Sequence, residues 1–138
     1  EVIFKKYSPM GEMGAVSAEL AEALARTAGM SCAICDRDAV IAAAGGVKKD
    51  ILERSISSEL EQLMERRECY ERGADEQPEV LISSQDGCAV VAEAPIITDG
   101  DVSGCVAFVS EKEDEKADEV LLKLCQSAAQ FLSKRIAV

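Results

Sequence analysis

The positions of the apolar residues along the chain predict where its helices and strands lie. Between residues 10 and 28 the apolar side chains recur three and four positions apart, which is the spacing of a helix facing a core. That stripe consists of Met13, Val16, Leu20, Leu24 and Thr27. Gly29 follows it, and glycine is common just after the end of a helix. We therefore predict the first helix over residues 10–28.

The middle of the chain carries shorter runs of a different kind. Residues 31–35 and 39–44 are strand-like and flank Asp36-Arg37-Asp38, which predicts a hairpin. Residues 48–63 have the pattern of one or two helices, and the second could be capped by Ser57 or Ser58. The polar residues 65–79 are predicted to form a loop.

The last third of the chain predicts three strands and one helix. The strands are expected at residues 80–83, 88–97 and 102–110, with Asp99-Gly100 as a hairpin turn between the last two. A long helix is expected over residues 114–136. Because most connections are hairpins, the fold class is α+β, an antiparallel sheet with helices on both faces.

The two terminal helices have more apolar surface than one sheet can cover. The last helix carries two overlapping apolar stripes, which together are wider than the roughly 100° face that packs on a sheet. We expect the excess to form a helix bundle at a two-fold axis of a homodimer. The predicted interface residues are Met13, Leu20, Ala21, Ala25, Leu121, Leu124, Ala128 and Phe131.

Composition and charge exclude several classes of function. The chain has 138 residues, 48% of them hydrophobic, which suits one domain with one core. Its 15 basic and 26 acidic residues give a net charge of -11, so this chain should not bind nucleic acid directly. It has no histidine, which removes triad hydrolases. No apolar run is long enough to span a membrane, and we expect a cytoplasmic protein.

The six cysteines do not form a convincing metal or redox motif. Cys32 and Cys35 have the spacing of a zinc or thioredoxin-like pair, but residues three apart on a strand point to opposite faces. We therefore expect reduced thiols, mostly buried as small apolar groups, with no metal and no cofactor. Cys69 differs, because Arg66, Arg67 and Arg72 lie near it in sequence.

Residues 45–49 offer one weak alternative site. Gly45-Gly46 precedes a predicted helix start with Lys48 and Lys49, an arrangement that could receive a carboxylate or a phosphate. The spacing does not match a nucleotide-binding P-loop. The other interpretation is a solvated turn with two surface lysines.

From the hairpin onward the chain resembles a known family. The residues that carry the resemblance are Ile34-Cys35-Asp36-Arg37-Asp38, Ile41-Ala42, Gly45, Lys48-Lys49-Asp50, Ser55-Ile56-Ser57, Ala94-Pro95-Ile96-Ile97, Gly100-Asp101, Gly104, Ala128-Ala129 and Phe131-Leu132. In this order they closely resemble the C-terminal GAF domain of the stage V sporulation protein T family. The opening Glu1-Val2-Ile3 and residues 5–9 look like the family's join to its N-terminal domain.

The resemblance implies the regulatory part of a transcription factor of spore development. In the family an AbrB-type domain binds DNA and the GAF domain is the presumed effector part. Residues 1–9 would then be the last strand and linker of the AbrB-type domain, and residues 10–138 the GAF domain. The implied partners are a second copy, with a tetramer also allowed in the full-length protein, and an unidentified small molecule.

The resemblance also places a ligand pocket between the sheet and residues 45–57. Its expected lining is Cys35, Ala44, Lys48, Ile51, Ile56 and Phe108. No catalytic residue is expected. Two alternatives remain open: a domain that only oligomerises its partner domain, and a cysteine-based reductase of free methionine sulfoxide, an activity that some GAF proteins have.

Overall fold

The computed structural model describes residue 10 and residues 13–73, 80–83, 88–112 and 117–136. The strand and linker expected at residues 1–9 lie outside this part of the chain. The elements in order are α1 (Gly14–Ala28), β1 (Ser31–Cys35), β2 (Val40–Ala44), α2 (Lys48–Ile51), α3 (Ser58–Glu65), β3 (Tyr70–Glu71), β4 (Ala89–Thr98), β5 (Asp101–Ser110) and α4 (Glu119–Ile136).

The five strands form one antiparallel sheet in the order β2-β1-β5-β4-β3. The hairpins β1–β2 and β4–β5 were both predicted, and β5 lies against β1 at the centre of the sheet. The expected α+β class with an antiparallel sheet is confirmed. Chain order alone does not show that the two hairpins pair through β1 and β5.

Three predictions of local structure were wrong. Residues 65–79 are not entirely loop, because β3 pairs with β4 at the sheet edge; a two-residue strand is too short for an apolar period. Residues 80–83 do not form a regular strand and make one isolated bridge, from Leu81 to Ala89. The last helix begins at Glu119, five residues later than predicted.

The two faces of the sheet are covered by different helices. We call the side beneath α1 and α4 the α1–α4 face; its core includes Ile34, Phe108 and Leu132. We call the side beneath α2, α3 and residues 80–83 the α2–α3 face; its core includes Ile51, Leu60 and Ile82. Both cores are apolar, as expected for a sheet that is covered on both sides.

Ser57 connects α3 to residues 80–83 on the α2–α3 face. Its hydroxyl accepts a hydrogen bond from the Leu60 amide at 3.1 Å and donates one to the Leu81 carbonyl at 2.6 Å. The Ser57 amide donates to the Ile82 carbonyl at 3.1 Å. Ser57 is therefore the N-cap of α3, one of the two residues predicted, and it also fixes the position of this short helix.

Candidate functional site

The structure separates the six residues predicted to line a pocket. Cys35 and Ile51 are buried on the α2–α3 face, and Ile56 packs against the same cluster. Ala44 and Phe108 are buried in the cluster of the α1–α4 face. Lys48 is exposed at the start of α2. The prediction that all six line one pocket is therefore wrong for Ala44 and Phe108.

Strand register explains why these two residues lie on the other side. Cys32 pairs with Ala44 on β2 and with Phe108 on β5, so the three side chains form one row across the sheet. Side chains directly opposite one another in neighbouring strands point to the same face. Cys35 has the opposite orientation to Cys32, as predicted for residues three apart in a strand.

One row on the α2–α3 face contains small residues and a buried acid. Reading from β2 to β3, the paired residues are Ala43, Ala33, Ala107, Glu93 and Tyr70. All five are buried. Three neighbouring alanines contribute little side-chain volume to this row, and Glu93 is its carboxyl group.

The Glu93 carboxyl group lies in an apolar environment. The residue has 0% exposed surface, and both carboxylate oxygens lack a hydrogen-bond partner among the described residues. The apolar cluster on this face includes the buried side chains Leu60, Leu63 and Met64 of α3 and Ile51 of α2. Burial raises the pKa of Glu93 from 4.5 to about 8, because the charged form has lost its water.

Sequence reasoning missed Glu93, although a signal was present. The strand predicted over residues 88–97 is almost entirely apolar, and Glu93 interrupts it between Ala92 and Ala94. An acid in the middle of a doubly covered strand must be buried, because neither face of the strand meets solvent. A buried acid without a partner is costly and calls for a functional explanation.

The glycine and lysine segment does not form an anion site in this structure. Gly45 has a positive φ of 104°, and Ser31 at the start of β1 packs so closely against it that a Cβ would overlap Ser31. The Lys48 amide donates to the Gly45 carbonyl at 3.2 Å. Because α2 has four residues and Lys48 and Lys49 are exposed, this segment fits the other interpretation, a solvated turn.

The buried cysteines are poorly suited to thiolate chemistry. Burial, and secondarily the nearby Cys35, raises the pKa of Cys32 to about 12. A hydrogen bond with Cys35, followed by burial, raises the pKa of Cys105 well above its usual range, and burial does the same to the pKa of Cys125. Since the thiolate is the reactive form, these groups are inert near pH 7.

Cys69 is the exposed cysteine among the described residues. Two of its sequence neighbours bind backbone carbonyls: Arg67 donates to Gly100 at 2.6 Å, and Arg72 donates to Lys112 at 2.9 Å. Cys69 also borders an open groove of about 490 Å³ between α4 and β4. Across the described residues, no group of three or more cysteines and acids could hold a metal ion.

The predicted dimer residues divide into three groups. Ala21, Leu121 and Ala128 are buried in the chain's own core, so they are not free to contact a second copy. Phe131 is 46% exposed. The remaining residues pack partly against the core and keep some exposed surface; they are Met13, Leu20, Ala25 and Leu124. The buried residues Ala21, Leu121 and Ala128 lie on the stripes of α1 and α4 that the sheet covers.

No helix in the described ranges is both long enough and apolar enough to cross a bilayer.

Comparison with known proteins gives a consistent assignment of the whole chain. Residues 12–137 match the family model described as "Stage V sporulation protein T C-terminal, transcription factor". The chain is 37% identical over 136 residues to stage V sporulation protein T of Bacillus subtilis strain 168. The aligned region covers 99% of this chain and 75% of that protein.

Solved GAF domains share the fold at low sequence identity. The GAF domain of a phosphoenolpyruvate-protein phosphotransferase from Acinetobacter is similar with a TM-score of 0.65 and 12% identity, covering 96% of this chain and 84% of that one. The cofactor-binding GAF domain of the nutrient sensor CodY from Clostridium difficile has a TM-score of 0.61 and 14% identity, and the match covers 86% of this chain and 83% of that one. The type II free methionine-R-sulfoxide reductase from Thermoplasma acidophilum has a TM-score of 0.60 and 10% identity, and the match covers 90% of this chain and 94% of that one.

Proposed function

This chain belongs to the family of stage V sporulation protein T C-terminal domains of transcription factors, and from that premise we propose that it is the regulatory part of such a factor. It binds a small molecule on the α2–α3 face and thereby changes DNA binding by an N-terminal AbrB-type domain. It acts as a homodimer in the cytoplasm. The observation that carries this proposal is the row of buried alanines that ends at the unpartnered carboxyl group of Glu93.

The two faces suggest how a ligand could be coupled to assembly. A ligand on the α2–α3 face would contact the same strands, β1 and β5, whose other side supports α1 and α4. A ligand changes the activity of a protein only if it binds two arrangements with different affinity. A change in sheet curvature that moves α1 and α4 would alter the dimer and the spacing of the two DNA-binding domains.

The test uses the full-length protein that carries this chain and two valine variants. Ala107→Val fills the row beside Glu93, whereas Ala92→Val adds the same two methyl groups on the α1–α4 face. Metabolites are screened by thermal shift, and each hit is added to a DNA-binding assay on promoter DNA recovered from cells. A ligand at about one hundred times its Kd adds about 2.7 kcal/mol to the stability of the native state.

We expect a hit to stabilise the wild type and the Ala92→Val variant but not the Ala107→Val variant, and to change DNA affinity in the same two proteins. The proposal is wrong if no metabolite stabilises the wild type and Ala107→Val leaves regulation in cells intact.

A second candidate function is assembly alone. Val120 and Phe131 on α4 are 62% and 46% exposed, which favours a contact surface on this helix. In that case Ala107→Val would leave both the dimer and DNA binding unchanged. The reductase alternative has less support, because the family is one of transcription factors and the buried thiols have raised pKa values.

A further inference from the structure

Glu93 is the least expected buried group in the domain. It lies in β4, with β5 on one side and β3 on the other, and both its oxygens are without a hydrogen-bond partner among the described residues. A carboxyl group without a partner in an apolar interior costs free energy in either protonation state, and far more when it is charged. A leucine at this position would avoid that cost.

The groups that face Glu93 do not supply a counter-charge. Ala107 and Tyr70 are its paired neighbours across the strands. The helices above contribute apolar side chains to the cluster, and the lysines of α2 and the acids of α3 are exposed. The other titratable groups in this cluster are Cys35, Cys88 and Cys105, and Cys125 of α4 also interacts electrostatically with Glu93; these thiols are neutral when protonated. Among the described residues, therefore, no cation meets the carboxyl group.

These observations define what a complementary ligand would carry. An ionised carboxylate is only an acceptor, and its strongest partners are charged nitrogen donors. Beyond Glu93 the row consists of three alanine methyl groups and the Tyr70 ring, so the rest of the ligand should be apolar. A carboxylate or phosphate ligand could bind only the neutral form of Glu93, whereas an ammonium group pairs with the ionised form, and the net charge of -11 favours the approach of a cation.

We propose that the α2–α3 face binds a small apolar molecule bearing a protonated amine, and that the Glu93 carboxylate is the group that binds this nitrogen. The inference rests on the proposed sensing function and specifies the chemical class of its ligand. The ammonium group donates hydrogen bonds to the Glu93 oxygens, and the alkyl part lies along Ala107 and Ala33.

Binding of this ligand is coupled to a proton. Burial holds the pKa of Glu93 at about 8, so the free protein carries a neutral carboxyl group at pH 7. A bound ammonium group favours the ionised form and lowers that pKa. The Glu93 proton then leaves to the buffer, and about one proton is released for each ligand bound at pH 7.

The experiment measures binding of primary alkyl amines from methyl to hexyl by calorimetry and thermal shift. The matched compounds are isopentylamine, isopentyl alcohol and isovalerate, which share an apolar part and differ in the polar group. We expect the amine to bind the wild type about tenfold or more tightly than the alcohol. Comparing heats in buffers of different ionisation enthalpy should give a release of about one proton per amine.

Two variants locate the interaction. Glu93→Gln keeps the shape of the side chain but cannot ionise, and we expect it to lose the preference for the amine and the proton release. Glu61→Gln makes the same change in net charge at an exposed position of α3 and should bind like the wild type. The heat of thermal unfolding verifies that both variants are folded.

The outcomes separate this proposal from the sensing function itself. Equal binding of the amine and the alcohol, amine binding that survives in Glu93→Gln, or no binding across the amine series overturns the amine proposal. If an uncharged or anionic metabolite then stabilises the wild type but not Ala107→Val, sensing stands and the ligand class is wrong. If no compound of any class does so, both proposals fail.

Discussion

The two faces of the sheet are covered in different ways. The α1–α4 face lies under two helices of 15 and 18 residues, and large side chains such as Ile34, Phe108 and Leu132 fill it. The α2–α3 face lies under helices of four and eight residues and contains the alanine row. Among the described residues, the buried unpartnered side-chain atoms belong to Ser17 on the first face, Glu93 on the second, and Thr98 at the end of β4.

We interpret this difference as a division of roles between stability and the proposed binding. A lone hydroxyl in the core costs far less than a carboxyl group, so Ser17 is a small defect in a packed layer. Glu93 is a large cost in a layer whose sheet side chains are small. We infer that the α1–α4 face supplies most of the stability, whereas the α2–α3 face gives up stability for a site.

The largest expected effect compares one leucine in each layer. Leu132 on α4 and Leu60 on α3 both have 0% exposed surface. We expect Leu132→Ala to lower the free energy of unfolding by about 3–5 kcal/mol and Leu60→Ala by about 2–3 kcal/mol, because a short helix above small residues can collapse into the space that is left. Urea unfolding, with the slope m compared between variants, measures both.

A loss for Leu60→Ala equal to or greater than that for Leu132→Ala would contradict the comparison, since the α2–α3 face would then be packed as tightly as the other.

The next effect concerns Glu93 and pH. The pKa of this group is 4.5 when exposed and about 8 when buried, so between these values the native state holds a proton that the unfolded state has lost. The contribution of Glu93 is therefore fully present below pH 4.5 and is lost as the pH rises towards 8, by at most about 1.4 kcal/mol per pH unit.

Relaxation of the native state around the charged Glu93 should make the total loss of stability over this pH range smaller than that slope implies. We expect the stability of Glu93→Gln relative to wild type to increase by about 3 kcal/mol from pH 5 to pH 8. Chemical unfolding of both proteins across this range gives the difference, and taking the difference cancels the titration of the other acids. Parallel pH profiles for the two proteins would show that Glu93 is not buried as described.

The smallest effect concerns the cap of α3. Ser57→Ala removes the hydrogen bond from the Leu60 amide and the bond to the Leu81 carbonyl, and should cost about 1–2 kcal/mol. Ser58→Ala, at an exposed neighbouring position, should change stability by less than about 0.5 kcal/mol. Thermal unfolding of the two variants side by side measures the contrast. If Ser57→Ala is as mild as its neighbour, α3 is not held in place by this contact.

Much of the fold could be predicted from local pattern. The first helix, both hairpins and the last helix follow from apolar spacing and turn residues, and these signals are local. The two-residue strand β3 was missed, and residues 80–83 were wrongly predicted to form a regular strand, because the pairing of both segments depends on β4 and not on their own sequence. Of the six residues predicted to line a pocket, Cys35, Ile51 and Ile56 lie on the α2–α3 face. Glu93 was overlooked.

The sequence by itself determined the family, the order of the elements and the small size of the residues in the central strands. Only the tertiary structure decided which of these residues share a face. Side chains alternate along a strand, so one irregular residue reverses the face of everything beyond it. Register shifts at Ile34/Cys35, Val90/Ala92 and Ile96/Ile97 do this here. Because these shifts depend on pairing between strands, the face that Glu93 occupies was fixed by the partners of β4 and not by β4 alone.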